Sequence, residues 1–293
     1  MNRIALDTNF SINEKQFKLT DLTSLKNSKE KAVGCIEVFK GVYTTSNRPG
    51  KQPYAWTQGA CAAPNGYVYL VMEGYPNKTS SNSTCGLWRI VGNNAANTWA
   101  KGITTLRNSV DLGHGNGATY VKEMESTAPI LVCNNRIGNL VHFLNKNGQE
   151  KSKGETSQPL HSLAWSEERQ QFIAGVSGKP GFYVLNKNLS PVSGYINGYE
   201  EGYTNQGGDC TKDVVLFPRI KARDHSGLTV LENVIHVQDW SGKKLHKLVL
   251  PHIGDNEYTL EIEDLFHIGN ILYATFSDWN ALYVYRINIF EEV

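Results

Sequence analysis

Short runs of alternating apolar and polar residues, separated by turn residues, recur along the chain from about residue 31 to its end. The stretch LHSLAWSEERQQFIAGVSGKPGFYVLNKN (160–188) predicts three strands joined by two turns. Pro64-Asn65-Gly66 precedes the apolar run YVYLVMEG (67–74), and Asn-Gly between such runs is typical of a tight hairpin. Because no helical pattern longer than two turns interrupts these runs, the sequence predicts an all-β protein.

Five short polar motifs open successive groups of predicted strands. They are spaced 44 to 58 residues apart, and they begin at Gln58, Asn116, Ser162, Gln206 and Glu263. Four-stranded blades of β-propellers repeat about every 40 to 50 residues. The spacing therefore predicts a five-bladed β-propeller with one motif at the start of each blade.

The segment before the first motif divides in two. Residues 1–30 are polar and weakly periodic, so they are predicted to form an N-terminal arm or linker, and residues 31–293 are predicted to form the propeller. Ala32–Phe39 has the β-branched and aromatic residues of a strand. Propellers must avoid exposed sheet edges, so this strand is predicted to complete the last blade and close the ring.

Composition narrows the classes of function. Charged residues make up only 19% of the chain, hydrophobic residues 40%, and the formal net charge is +1. Without a strongly basic face, the chain lacks the electrostatic signature of a nucleic-acid-binding protein. The five cysteines show no CxxC pair; they are predicted to be buried free thiols, with Cys61 and Cys85 as the pair to test for a disulfide.

The sequence gives no sign of a membrane segment or a signal peptide. The first residues, MNRIALDTNFSINEK, lack the apolar core of a secretion signal, and no apolar run approaches the length of a membrane helix. Synthesis in the cytoplasm is therefore expected. A place on a virion or outside the cell would require lysis, a carrier or an unconventional route.

Polar residues at the starts of inner strands should converge on the mouth of the central channel. The predicted ligand-binding residues share this position or lie on the surrounding loops: Gln58, His114, Asn116, His161, Gln206, Asp209 and Glu263, together with Arg136, Trp240 and Trp279 on the rim. Glu261 is expected at the same mouth. Amide and carboxylate groups bind hydroxyls, and tryptophan rings stack on sugars, so a polysaccharide or cell-surface glycan is the predicted ligand.

Three alternatives remain open at this stage. A polysaccharide hydrolase or lyase would use His114, His161 and Glu263 as its acid and base groups, with Asp209 and Glu263 as its carboxylate pair. A protein-interaction scaffold would bind a partner on the rim. Gln58, Asn116 and Gln206 would instead tie the blades together if their role is structural. His114, His161 and Glu263 lack the spacing of a metal site, and no metal or cofactor is predicted.

Several segments resemble a known family. QGAC, GHGNGATY, LHSLAWSEERQQFIAGV, QGGD and EIEDLFHIGNILYATF are similar to blade motifs of helveticin J-like bacteriocins and of five-bladed propellers in bacterial surface and phage tail proteins. The chain carries Leu163 where the family segment has an acidic residue after its histidine. The resemblance implies binding to a bacterial surface polymer, either to kill or to attach, and it transfers no catalytic residue.

Overall fold

The strands form five antiparallel sheets, arranged as the blades of a five-bladed β-propeller, which confirms the predicted fold class. The computed structural model describes residues 9–12, 15–77, 84–92, 99, 102–110, 112–134, 139–198, 202–222, 230–254 and 260–293. Three short 3-10 helices lie in these ranges, at Leu22–Lys26, Pro49–Lys51 and Lys122–Met124. Within this part of the chain, no helix is long and apolar enough to cross a membrane.

Three strands precede the first complete blade: β1 (Asn9–Ile12), β2 (Lys15–Thr20) and β3 (Lys31–Val42). Blade 1 contains β4 (Tyr54–Ala62), β5 (Tyr67–Tyr75), β6 (Thr84–Val91) and β7 (Thr104–Val110). Blade 2 contains β8 (Gly117–Tyr120), β9 (Ile130–Cys133), β10 (Leu140–Leu144) and β11 (Glu150–Glu155). In both blades the strands pair in sequence order, as expected for consecutive hairpins.

The remaining blades follow in the same way. Blade 3 contains β12 (Leu160–Ser166), β13 (Gln171–Val176), β14 (Gly181–Leu185) and β15 (Ile196–Asn197). Blade 4 contains β16 (Thr204–Asn205), β17 (Asp209–Cys210), β18 (Val214–Ala222), β19 (Val230–Asp239) and β20 (Lys244–Val249). Blade 5 begins with β21 (Glu261–Ile268), β22 (Ile271–Ser277) and β23 (Ala281–Glu292).

The N-terminal strands complete blade 5. β3 pairs with β23 from Lys31 opposite Glu291 to Val42 opposite Ala281, which confirms the predicted closing strand. β2 pairs with the last residues of β23, so residues 15–20 of the predicted arm also lie against this blade. The domain boundary near residue 30 stays a prediction. Blade 5 is thus assembled from both ends of the described chain, which leaves β23 with partners on both sides.

The innermost strands surround a central channel. β4 contacts β8 and β21, β12 contacts β8 and β17, and β17 contacts β21, so the contacts close a ring. The inner strands β4, β8, β12 and β21 all begin at one end of the channel, which we call the mouth. The chain arrives at the mouth again at the ends of β5, β9, β13, β18 and β22, because each of these strands is antiparallel to its inner neighbour.

The core lies between neighbouring blades rather than inside any one of them. Five apolar clusters occur among the described residues, and each one spans two adjacent blades. Between blades 3 and 4, for example, the rings of Phe182 and Phe217 lie 5.6 Å apart. Burial between sheets explains the continuous apolar runs in the second strands, since those strands are covered on both faces.

The five cysteines contribute to this packing as free thiols. Cys61 and Cys85 lie in β4 and β6 and are buried, but they do not form the disulfide considered above. The Cys85 thiol donates a hydrogen bond to the Gly113 carbonyl oxygen at 2.8 Å, which ties blade 1 to the loop before blade 2.

One buried carboxylate joins three blades near the axis. Asp264 Oδ2 accepts a hydrogen bond from the Ala60 N–H of blade 1 at 2.7 Å. Its Oδ1 accepts from Gly208 N–H of blade 4 at 2.7 Å and from Leu265 N–H of its own strand at 2.8 Å. The side chain is fully buried, and these three donors offset the cost of removing its oxygens from water.

Replacing Asp264 with alanine should strongly destabilise the protein. The change leaves three buried N–H groups without an acceptor, each costing about 1–3 kcal/mol, so we expect a loss of about 3 kcal/mol or more in the free energy of unfolding. Urea denaturation followed by tryptophan fluorescence measures this loss. Asp213→Ala is the control, because Asp213 makes an exposed ion pair with Lys26 and its loss should cost less than about 1 kcal/mol. Equal effects of the two substitutions would show that Asp264 does not hold the ring together.

Candidate functional site

Three inner strands carry a β-bulge at the same level of the channel. The pairing register shifts at Gln58 in β4, at His161 in β12 and at Glu263 in β21. A bulge places an extra residue on one strand and re-aims its side chain. These three residues are therefore equivalent positions of their blades, and the repeat start predicted at Ser162 is one residue too late.

Asn116 and Gln206 supply the corresponding residues of blades 2 and 4. Asn116 directly precedes β8, and Gln206 precedes the Gly207 N–H, which donates to the Glu263 carbonyl oxygen at 2.8 Å. We call Gln58, Asn116, His161, Gln206 and Glu263 the channel ring; all five are between 2% and 6% exposed. Every blade thus contributes one buried polar side chain at this level.

The side of the mouth formed by blade 5 is acidic. Glu263 accepts a hydrogen bond from the Trp56 indole N–H, and Glu261 accepts one from the Gln206 side-chain amide. Burial raises the pKa of Glu261 to about 7. Burial also raises the pKa of Glu263 well above its usual range, and the nearby charge of Glu261 adds to this effect. The Glu261 carboxyl group therefore titrates near neutral pH, and the protonated form of Glu263 is favoured.

A third carboxylate, Glu73, adjoins them from the end of β5. It is fully buried, accepts a hydrogen bond from the Tyr75 hydroxyl, and lies with its Oε2 2.6 Å from His114 Nδ1. His114 reaches this position because Gly113 and Gly115 on either side adopt positive φ angles of 60° and 65°. Glycine tolerates this conformation at little cost, which explains the sequence GHGNG.

Aromatic rings from blades 1 and 5 form a wall beside these carboxylates. Trp279, in the turn between β22 and β23, packs edge-on against Trp56 at 4.7 Å between ring centroids. Tyr54 and Tyr75 each lie 5.8 Å from the Trp279 ring. Trp279 remains partly exposed, so the mouth contains an accessible aromatic ring, fixed by its neighbours, next to buried acidic groups.

The opposite side of the channel, from blades 3 and 4, contains His161 and Arg219. Neither ring nitrogen of His161 has a hydrogen-bond partner among the described residues. Burial, assisted by the charge of Arg219, lowers the pKa of His161 to about 3. The buried Arg219 guanidinium donates to the Asn205 side-chain oxygen. His161 is therefore a neutral hydrogen-bonding group at physiological pH.

Other predicted site residues lie apart from this arrangement. Asp209 does not pair with Glu263; its Oδ2 lies 2.7 Å from His267 Nδ1, near the far end of β21. Trp240 lies at the end of the channel opposite the mouth, where it donates to Thr211 and stacks with Arg169 at 4.6 Å. Arg136 lies outside the described residues. The ligand-binding roles of these residues stay predictions.

The catalytic roles predicted for His114, His161 and Glu263 stay predictions. His114 contacts Glu73, whereas His161 lies on the other side of the channel beside Arg219. In the described part of the chain, no group of three histidine, cysteine, aspartate or glutamate side chains is placed to hold a metal ion.

Two contributors to the site were not found from the sequence. Glu73 is the single charged residue in the apolar run YVYLVMEGY, and a charge in an otherwise buried strand is a usable signal. Trp56 lies opposite Glu73 in the pairing of β4 with β5, so the two side chains lie on the same face of the sheet. Their meeting with Glu263 and Trp279 depends on the contact between blades 1 and 5, which no local pattern shows.

An open cavity of about 600 Å³ lies at the opposite end of blade 2, between residues 125–127 and the β10–β11 turn. Lys146 and Glu125 pair with each other across it at 2.6 Å. Because Glu125 and Lys146 already pair with each other and the walls are mostly loop residues, we do not place the functional site there.

Comparison with known proteins supports the fold. No family model matches the chain, and no curated protein matches it. The structure is similar to Myxococcus xanthus glutaminyl cyclase, with a TM-score of 0.53, 10% identity, and coverage of 90% of this chain and 99% of that one. It is also similar to a glycosyl hydrolase from Bacteroides ovatus, with a TM-score of 0.52, 10% identity, and coverage of 94% and 96%. At such low identity these likenesses show the propeller fold and transfer no activity.

The raised pKa of Glu261 should make stability fall as the pH rises from about 4.5 to 7. In this window the folded state keeps a proton that the unfolded state releases, so ionisation favours unfolding. Glu261→Gln replaces the titrating carboxyl group with an amide that stays neutral throughout this pH range. The variant should gain about 1–3 kcal/mol relative to wild type between pH 4.5 and 7.5, an amount reduced by partial exposure of the side chain. Urea denaturation at both pH values measures the gain, with Glu125→Gln as the control. Parallel stability curves for wild type and Glu261→Gln would contradict the shift.

Proposed function

We propose that this protein is a glycan-binding module that takes its ligand at the mouth of the propeller channel. The observation that carries the proposal is the partly exposed Trp279 ring, held by three other aromatic rings directly beside buried carboxyl groups. Sugar rings offer an apolar face to an aromatic ring and hydroxyl groups to polar side chains. The mouth provides both kinds of partner in one place.

The channel ring supports the same function. Its members are the side-chain amides of Gln58, Asn116 and Gln206, the neutral imidazole of His161, and Glu263, whose raised pKa favours the protonated form; all of these groups form hydrogen bonds with hydroxyls. Asn116 Oδ1 and both His161 nitrogens have no hydrogen-bond partner among the described residues. A polar ligand, or water in its absence, would satisfy them.

The source of the glycan is taken from the resemblance to helveticin J-like bacteriocins and phage tail propellers. We propose a bacterial surface polymer, recognised for attachment or killing. This role would place the protein on a virion or outside the cell that makes it.

Removing the Trp279 ring should weaken binding. A panel of bacterial cell-wall and capsular polysaccharides, tested for retention of the purified protein, identifies a ligand. Trp279→Ala should then lower affinity about tenfold or more, because an aromatic contact contributes about 0.5–1.5 kcal/mol beyond the apolar area that it buries.

Trp240→Ala is the matched comparison, since Trp240 lies at the opposite end of the channel. Loss of binding in Trp240→Ala but not in Trp279→Ala would place the ligand at that end and overturn the location proposed here. Thermal unfolding of both variants separates loss of binding from loss of fold.

Glycan cleavage is a second candidate, favoured by one observation. Glu261 and Glu263 are neighbouring carboxyl groups with raised pKa values, and glycoside hydrolysis needs a protonated acid beside an ionised carboxylate. The acid would then be Glu263, with Glu261 or Glu73 ionised. This assignment replaces His161, which stays neutral and lies across the channel.

If the protein cleaves its ligand, Glu263→Gln should abolish the activity. The amide keeps the shape of the side chain but has no proton to transfer, so the rate should fall by at least about a hundredfold. Release of new reducing or unsaturated ends during incubation with the retained polysaccharide measures the activity. Retention without new ends in the wild-type protein would reject catalysis and leave the binding function in place.

A further inference from the structure

The mouth contains an excess of hydrogen-bond acceptors. Glu73 lies opposite Trp56 in the pairing of β4 with β5, the Trp56 indole donates to Glu263, and Glu261 precedes Glu263 by two residues in β21, so the three carboxyl groups are neighbours. The donors identified for the two glutamates of β21 are the neutral Trp56 indole and Gln206 amide. Among the described residues, no lysine or arginine forms an ion pair with Glu261 or Glu263. Buried carboxylates usually have a cationic partner, so this arrangement favours a cation supplied from outside.

Two further acceptor groups of the channel ring lack partners. The Asn116 side-chain oxygen is buried in a residue only 5% exposed, and it has no hydrogen-bond partner in the described structure. Asn116 lies two residues after His114, whose ring touches Glu73, so it belongs to the acidic side of the mouth. The imidazole of His161, 3% exposed, also lacks a partner, but it lies beside the charge of Arg219 on the other side of the channel and is not assigned to the amine site.

The aromatic wall suits the same kind of ligand group. The Trp279 ring stands beside the acidic side of the mouth, because its neighbours Trp56 and Tyr75 are the residues that donate hydrogen bonds to Glu263 and Glu73. An ammonium group is attracted to the face of an aromatic ring, and tryptophan attracts it most strongly. An ammonium has three N–H donors and no acceptor, which matches a pocket rich in acceptors.

We propose that the mouth recognises a protonated amine on its ligand, so that the preferred glycan carries free amino sugars rather than N-acetylated ones. This inference rests on the proposed glycan-binding function and adds the chemical class of the ligand. Glu261 is the contact residue, because it is the partly exposed member of the acidic group, whereas Glu263 and Glu73 are buried. Acetylation of the ligand's amino group would remove its positive charge and two of its three N–H donors.

The test compares two ligands that differ only in acetylation. Oligomers of glucosamine and of N-acetylglucosamine of equal length are titrated into the wild-type protein at pH 7 by isothermal calorimetry. We expect glucosamine oligomers to bind about tenfold or more tightly, since charge-assisted hydrogen bonds are about twice as strong as neutral ones. In Glu261→Gln, which keeps the side-chain shape, the two ligands should bind with similar affinity. Glu125→Gln, at the opposite end of blade 2, should keep the wild-type preference.

The possible outcomes distinguish failure of amine recognition from failure of the proposed glycan binding. Binding of both oligomers with equal affinity, or tighter binding of the acetylated one, would overturn amine recognition and leave glycan binding standing. A preference that survives in Glu261→Gln would overturn the assigned contact. If the wild-type protein binds neither oligomer but does bind a polysaccharide of the wider panel, amine recognition is overturned and glycan binding stands. If it binds none of these ligands, both proposals are rejected. Thermal unfolding of each variant shows that it is folded.

Discussion

The ring of blades depends on the buried carboxylate of Asp264. Its two oxygens accept hydrogen bonds from backbone N–H groups of blades 1, 4 and 5, at Ala60, Gly208 and Leu265. A buried carboxylate is costly unless donors surround it, so the inner strands are held where all three donors reach it. The approach is so close that Gly207 has no room for a side chain, because a Cβ there would collide with the Asp264 carboxylate.

Closure of the ring by the N-terminal strand fixes the same region from outside. β3 pairs with β23 along its length, and the buried Lys31 ammonium group contacts Glu291 at 2.8 Å at the end of the ladder. Since blade 5 is built from both ends of the described chain, its position against blade 1 depends on this pairing. The aromatic wall is made across that interface, with Trp279 from blade 5 and Trp56 from blade 1. The candidate site is therefore a product of ring closure.

The bulges convert this scaffold into a polar channel. Regular strands would alternate their side chains between the two faces of each blade, and a bulge allows one residue to leave that alternation. Gln58, His161 and Glu263 occupy the three bulges, so polar groups are aimed at the axis while apolar neighbours stay between the blades. Burial then shifts the pKa values of His161 and Glu263 in opposite directions. It keeps His161 neutral by lowering its pKa, and it favours the protonated form of Glu263 by raising the pKa of that carboxyl group.

The sequence by itself determined the all-β class, the five blades and the closing strand, because strand alternation, Asn-Gly turns and repeat spacing are local properties. It also located Gln206 and Glu263 near the starts of inner strands, and it placed the third repeat start at Ser162, next to His161. Only the tertiary structure decided which of these side chains meet. It separated Asp209 and Trp240 from the mouth, since strand direction fixes the end of the channel at which a residue lies. It also brought Glu73 and Trp56 of blade 1 together with Trp279 of blade 5. These residues are far apart in sequence, so no local pattern predicts that they meet or that their side chains are buried together.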